Sequence, residues 1–121
     1  MKVAFPADER INEGTRLDRR FGRALGFMVF DTDNSDFDWL DNEQNIDSPK
    51  GAGIQAAQHL INNDVNSIVV QNIGPKAFDL LNKFHISIYA AGKYTIIDQA
   101  YKAFLESRLS KLTDPNTIGL G

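Results

Sequence analysis

Residues 66–92, NSIVVQNIGPKAFDLLNKFHISIYAAG, predict a strand, a tight turn, a helix and a second strand. The run at residues 67–71 is short, apolar and β-branched, which is typical of a strand buried on both faces of a parallel sheet. Gly74 and Pro75 mark the start of the helix, because proline suits the first helical position, where its missing N–H is not needed.

Apolar residues follow this helix start at helical spacing. They predict one inward-facing stripe made of Ala77, Leu80, Leu81 and Phe84. Residues 86–90 predict the second strand. Such a βαβ unit is right-handed and places its loops at the carboxyl ends of the strands. We therefore expect any functional site to lie at that edge of the sheet.

The whole chain, at 121 residues, fits one domain with a core of its own. The net charge is −3, so no general positive field favours nucleic acid. There is no cysteine, which excludes disulfides, thiolate nucleophiles and cysteine-held zinc or iron–sulfur sites.

Hydropathy places the chain outside membranes. No apolar run approaches the roughly 20 residues of a membrane-spanning helix. The first ten residues, MKVAFPADER, lack the long apolar core of a signal peptide. We therefore expect a cytoplasmic protein.

The first half of the chain predicts three strands and a polar connection. Residues 3–6 form the first strand, with Pro6 at its end or at an irregular edge. Residues 8–25 form a polar connection of a length that, in compact domains, is usually functional or mobile. Residues 26–30 and 37–40 predict an antiparallel hairpin, whose alternating acidic residues protect an edge strand.

The second half adds two further helices. One begins at residues 51–53 and turns inward a face made of Ile54, Ala57, Leu60 and Ile61. The last helix is predicted to be capped by Thr95, with Asp98 in the capping-box position. Its inward residues are Ile97, Ala100, Tyr101 and Phe104. A single domain thus covers residues 1–109, and residues 110–121 form a polar, loosely packed tail.

The predicted element order is β-β-β-α-β-α-β-α, with helices on both faces of the sheet. This order is that of the ribonuclease-H-like three-layer α/β/α sandwich, with a five-stranded mixed sheet. A flavodoxin-like open sheet is the alternative, and the early antiparallel hairpin counts against it.

Catalytic and metal-binding patterns are weak. Two-metal hydrolysis needs carboxylates from several elements, yet the first strand and first helix carry none and the fourth strand ends in Gln71 and Asn72. The acidic residues within 31–47 lack the spacing and glycine of a calcium loop. His59 and His85 form no local ligand pair and suit the surface and the end of a helix. We therefore expect no enzyme.

Glycine-led helix starts are the remaining signal. Residues 51–53 and 72–76 each offer free backbone N–H groups at a positive helix end, with Lys50 and Lys76 beside them. The polar connection adds a positive cluster of Arg16, Arg19, Arg20 and Arg23. The alternatives are glycines needed for packing in tight turns, and arginines in a solvated loop that pair with Asp18 and the acidic hairpin.

Several short motifs occur together in a characteristic order. They are RFGRA at residues 20–24, the glycine start at 51–53, IGPKA at 73–77 and ISIY at 86–89. In this order the chain resembles, over residues 2–109, the dinitrogenase iron–molybdenum cofactor biosynthesis family. That family is the NifX-like domain, which also occurs at the end of NifB-type proteins.

The resemblance implies a ribonuclease-H-like fold and a carrier of the iron–molybdenum cofactor or its iron–sulfur precursor, without catalysis. Family members typically have His-Phe-Gly where this chain has Arg20, and that histidine is a candidate cluster ligand. Arginine keeps its proton and cannot coordinate a metal. The resemblance therefore implies an anionic cluster held by charge, or a fold that has kept no cofactor.

Our first interpretation is a small cytoplasmic carrier of an anionic metal cluster or another small anion. No catalytic residue and no metal ligand are assigned, and the predicted binding residues are Arg19, Arg20, Phe21, Gly22, Arg23, Gly74, Pro75 and Lys76. The alternative is a non-catalytic interaction or regulatory module that docks a protein partner at residues 37–40.

Overall fold

The computed structural model describes residues 1–10 and 14–116. The described chain contains five strands, three α-helices and one short 3₁₀ turn, Glu43–Asn45. In chain order the strands and helices are β1 Lys2–Ala7, β2 Gly26–Asp31, β3 Phe37–Asp41, α1 Ala52–Asn62, β4 Ser67–Val70, α2 Pro75–Lys83, β5 Ser87–Ala90 and α3 Ile97–Leu105. The predicted element order is confirmed.

The strands form one mixed sheet in the order β3-β2-β1-β4-β5. Strand β2 pairs antiparallel with both β1 and β3, whereas β4 runs parallel to β1 and to β5. This confirms the predicted five-stranded mixed sheet and is compatible with the ribonuclease-H-like label. The antiparallel hairpin of β2 and β3 is the feature that disfavoured a flavodoxin-like sheet.

Helices cover both faces of the sheet. Successive strand side chains point to opposite faces, so Ile68 and Val70 join one apolar cluster and Val69 joins another. The first cluster contains buried residues of α1 and α2, and the second contains buried residues of α3. The structure is therefore a three-layer α/β/α arrangement with a core on each side of the sheet.

Pro6 lies one residue before the end of β1, so of the two predicted positions the strand end is wrong and an irregular edge fits the structure. The carbonyl of Pro6 accepts a hydrogen bond from the Asp18 N–H at 2.7 Å. The nitrogen and the carbonyl of one strand residue point to the same side, so the Pro6 nitrogen faces away from β2. On that side β4 is in register only with Val3 and Ala4. The missing N–H therefore leaves no gap in the sheet.

Two residues predicted to be inward are exposed. Ile54 on α1 is 40% exposed, and Phe84 is 52% exposed just after α2 ends. Phe78 is buried instead and packs in the cluster under α2. On the other face of the sheet, the predicted stripe of α3 is confirmed for its buried residues Ile97, Ala100 and Tyr101.

The predicted cap of α3 is also wrong. Ile96 is the N-cap residue, and no side chain caps the helix. The carbonyl of Thr95 instead accepts a hydrogen bond from the Leu17 N–H at 2.8 Å. Asp98 accepts one from the Gly14 N–H at 3.2 Å. Thr95 before α3 and Asp98 in its first turn therefore hold the long polar connection rather than capping the helix.

The tail is packed along β5 in its described part, which corrects the prediction of a loose segment for residues 110–116. The N–H of Leu112 donates to the carbonyl of Ile88 at 2.7 Å, and the carbonyl of Ser110 accepts from Ala90 at 2.8 Å. Leu112 also packs against the core. The rest of the predicted tail, residues 117–121, lies outside the described residues.

No helix in the described chain is long and apolar enough to span a membrane.

Candidate functional site

A cleft of about 1050 Å³ opens where β1 and β4 end. Because these neighbouring strands are parallel, their carboxyl ends meet at one edge of the sheet. The walls are residues 16–23, here called the arginine turn, the loop at 71–74 with the start of α2, and the start of α1. All eight predicted binding residues line this one cleft. That they bind a ligand stays a prediction.

The arginine turn is docked onto the sheet. The N–H of Asp18 bonds to Pro6 in β1, and the N–H of Leu17 bonds to Thr95 before α3. The N–H of Leu25, which follows the turn, donates to Ala7 at 3.1 Å. The described part of the polar connection is therefore a fixed wall of the cleft.

A buried pair of asparagines holds the turn from below. The amide of Asn42, which is fully buried, donates to the carbonyls of Gly22 at 3.1 Å and Ala24 at 2.8 Å. Its side-chain oxygen accepts from Asn45 at 2.7 Å. Sequence alone does not reveal this pair, because an asparagine after a strand is equally typical of an ordinary turn.

Two of the predicted binding residues have structural roles. Phe21 is only 4% exposed and packs in the core, with its ring centroid 5.5 Å from that of Phe27. Gly22 lies against the start of α1, where an added Cβ would be 2.5 Å from the Gly53 nitrogen. A side chain at residue 22 would therefore collide with backbone. These residues shape the cleft floor.

The cations of the arginine turn differ in their partners. Arg20 forms an ion pair with Asp18 at 3.3 Å, and this aspartate is only 6% exposed. Arg23 donates to the carbonyls of Ile46 and Ser48, at 3.1 and 2.7 Å. Carbonyl groups do not neutralise its charge. The pairing with Asp18 was predicted, whereas among the described residues no arginine of the turn forms an ion pair with the acidic hairpin.

Two helix starts add positive potential. Gly51 precedes α1 with φ of 77° in the left-handed region, and Gly74 precedes α2. Among the described residues, neither helix start has a side-chain cap that would offset the positive end of its dipole. Exposed Lys50 and Lys76 stand beside them on the cleft wall.

The balance of charge in the cleft is opposite to that of the chain. Six cationic side chains line it against two carboxylates, Asp8 and Asp18, although the whole chain carries −3. Both carboxylates are already ion-paired, with Arg16 at 3.1 Å and with Arg20. A cleft with this excess of positive groups attracts anions.

Coordination of a metal by side chains does not fit this cleft. None of its lining residues is a histidine or a cysteine. Over the described residues, no three histidine, cysteine, aspartate or glutamate side chains come together as a possible metal site. The two carboxylates of the cleft are held in ion pairs, and the remaining charged groups are cations, which together with N–H donors hold an anionic surface through charge and hydrogen bonds.

Comparison with known sequences gives one family. The family model described as dinitrogenase iron–molybdenum cofactor matches residues 1–107. An uncharacterized protein of Methanocaldococcus jannaschii is 36% identical over 116 residues, which span 92% of this chain and 91% of that protein.

Comparison with solved structures gives the same picture. The apo form of the orange protein from Desulfovibrio gigas superposes with a TM-score of 0.90 and 30% identity, over 96% of each chain. A NifB-like protein from Thermotoga superposes with a TM-score of 0.81 and 27% identity, over 98% of each chain. The fold and most of the length are thus shared with both.

Proposed function

The chain belongs to the dinitrogenase iron–molybdenum cofactor family, and from this premise we propose that it is a small cytoplasmic carrier that binds an anionic metal cluster without catalysing a reaction. The cluster is its cargo. The chain shares its fold with the apo form of the orange protein and with the NifB-like protein. A smaller inorganic anion is the simpler occupant of the same cleft.

The observation that carries the proposal is the charge of the cleft. Four more cationic than acidic side chains line it, and two uncapped helix starts point positive ends at the same space. An anionic cluster pairs with these cations and helix starts without any protein side chain coordinating its metal ions. The proposal therefore does not require the family's histidine, which is replaced by Arg20 in this chain.

The role of each cleft residue follows from whether its side chain is already paired within the protein. Among the described residues, the side chain of Arg19 has no partner, and Lys76 is exposed at the start of α2. These two reach the anion directly. Arg20, 63% exposed although paired, adds a further positive surface. Gly74 and Pro75 set the start of α2, whose next N–H groups point along the helix axis.

Neutralising Lys76 tests the role of charge. We expect Lys76→Gln and Arg19→Gln each to weaken binding of isolated iron–molybdenum cofactor about 2- to 5-fold, since exposed ion pairs contribute up to roughly 1 kcal/mol. Anaerobic calorimetric titration measures the affinity. Added salt should weaken wild-type binding further, because exposed charges are screened.

Lys83→Gln is the matched control, because Lys83 is an exposed lysine in the last turn of the same helix. It should leave the affinity unchanged. Equal affinity for wild type, Lys76→Gln and Arg19→Gln would remove these two residues from the site. An equal loss of affinity in Lys76→Gln, Arg19→Gln and Lys83→Gln would mean that only the net charge of the protein matters.

The second candidate is a protein-interaction module at β3. One side of β3 pairs with β2, and no other described strand pairs with its outer side. Phe37 there is 38% exposed. If β3 is a docking surface, a purified protein partner should bind the wild type and Lys76→Gln but not Asp38→Lys. Trp39 is unsuitable for substitution because its ring packs on Gly26.

A further inference from the structure

Residues 110–116, here called the C-terminal strap, lie beyond the family match, which ends at residue 107. Lys111 forms an antiparallel bridge with Tyr89 of β5. The strap then reaches the loop at residues 71–74, which follows β4. It therefore joins an outer edge of the sheet to a wall of the cleft.

The strap ends in three hydrogen bonds from one residue. The side-chain oxygen of Asn116 accepts from the Ile73 N–H at 2.7 Å, and its amide donates to the Gln71 carbonyl at 2.8 Å. The backbone N–H of Asn116 donates to the Ile73 carbonyl at 3.2 Å. Ile73 is 1% exposed, so its N–H is paired away from bulk water.

The loop held in this way makes two hydrogen bonds that link it to other parts of the cleft wall. The amide of Asn72 donates to the carbonyl of Arg19 at 3.1 Å and so joins the loop to the arginine turn. The carbonyl of Gly74 accepts from Phe78 at 3.1 Å in the first turn of α2. A shift of the loop therefore moves the helix start and disturbs the hydrogen bond to the arginine turn.

We propose that Asn116 is a positioning residue, which fixes the loop at 71–74 and with it the start of α2 in the geometry that the cleft needs to bind an anion. Its effect on affinity rests on the proposed function, whereas its effect on the loop does not. Asn116 acts through the Gln71 and Ile73 peptide groups and is not one of the residues that line the cleft.

Amide hydrogen exchange tests the positioning without any ligand. We expect Asn116→Ala to raise the exchange rate of the Ile73 N–H roughly 2- to 12-fold, the range of one lost neutral hydrogen bond. Asn116→Asp keeps an acceptor oxygen, so Ile73 should stay protected. Asn82→Ala, at an exposed position of α2, is the matched control and should change nothing.

Three results would overturn the proposal. They are unchanged exchange at Ile73 in Asn116→Ala, equal acceleration in Asn116→Ala and Asn116→Asp, and an equal rise at Phe5 in the centre of the sheet. The last would mean that the whole domain has loosened. Faster exchange confined to residues 71–77 supports the proposal.

Binding of molybdate, followed by amide chemical shifts, tests the link to the cleft. Asn116→Ala should bind molybdate roughly 2- to 12-fold more weakly than wild type or Asn82→Ala. Unchanged affinity despite faster exchange would overturn the link. If wild type binds neither molybdate nor the isolated cofactor, the proposed function is contradicted, and the exchange rates alone decide whether Asn116 positions the loop.

Discussion

Asn42→Ala is expected to lower the free energy of unfolding by about 2–4 kcal/mol, because it leaves the buried carbonyls of Gly22 and Ala24 without donors. Asn45 also loses the acceptor of its side-chain amide. Small domains are stable by only about 5–15 kcal/mol, so this single change takes a large share. Urea denaturation followed by circular dichroism measures it.

Gln44→Ala is the matched control for Asn42→Ala. Gln44 is exposed in the same short 3₁₀ turn, so its truncation should cost less than about 0.5 kcal/mol. Asn42→Asp should be as harmful as Asn42→Ala, since a carboxylate cannot donate to the two carbonyls. A loss below about 0.5 kcal/mol in Asn42→Ala would show that the buried pair does not hold the arginine turn.

Gly22→Ala is expected to destabilise the protein by about 1–3 kcal/mol through overpacking. The new Cβ would lie 2.5 Å from the Gly53 nitrogen and 2.8 Å from the Ala52 carbonyl carbon. Both are backbone atoms, so neither can swing aside as a side chain does. The arginine turn and the start of α1 must separate, and the shape of the cleft changes with them.

The measurements for Gly22→Ala are the thermal midpoint and the affinity for the isolated cofactor, and both should fall. Gln55→Ala changes an exposed side chain in the first turn of α1 without approaching Gly22, and it should leave both values unchanged. A Gly22→Ala protein with wild-type stability and affinity would mean that the close contact between turn and helix is not needed.

The central βαβ unit could be predicted because its signals are local. The β-branched run of β4 is buried at all four positions, and Pro75 begins α2 as expected. The edge of the sheet where the cleft lies followed from topology, since loops after neighbouring parallel strands meet there, and the glycine turns and the arginine cluster predicted its residues. Residues far apart, such as Arg19 and Lys76, could therefore be placed on one cleft.

The errors have physical causes. Periodicity identifies a stripe but not its limits, so Ile54 and Phe84, which extend beyond the covered part of their helices, were placed inside. Asn42 and Asn116 were missed because their partners are backbone groups 18 to 45 residues away. A backbone carbonyl leaves no mark in a sequence, so such pairs appear only when the chain is folded.

The most direct test of the carrier function is anaerobic titration of the protein with isolated iron–molybdenum cofactor, followed by gel filtration, metal analysis and an absorption spectrum. We expect about one cluster to be retained per chain and released by high salt, because cations and N–H groups hold it without coordination. Cofactor that elutes entirely apart from the protein at low salt would contradict the account.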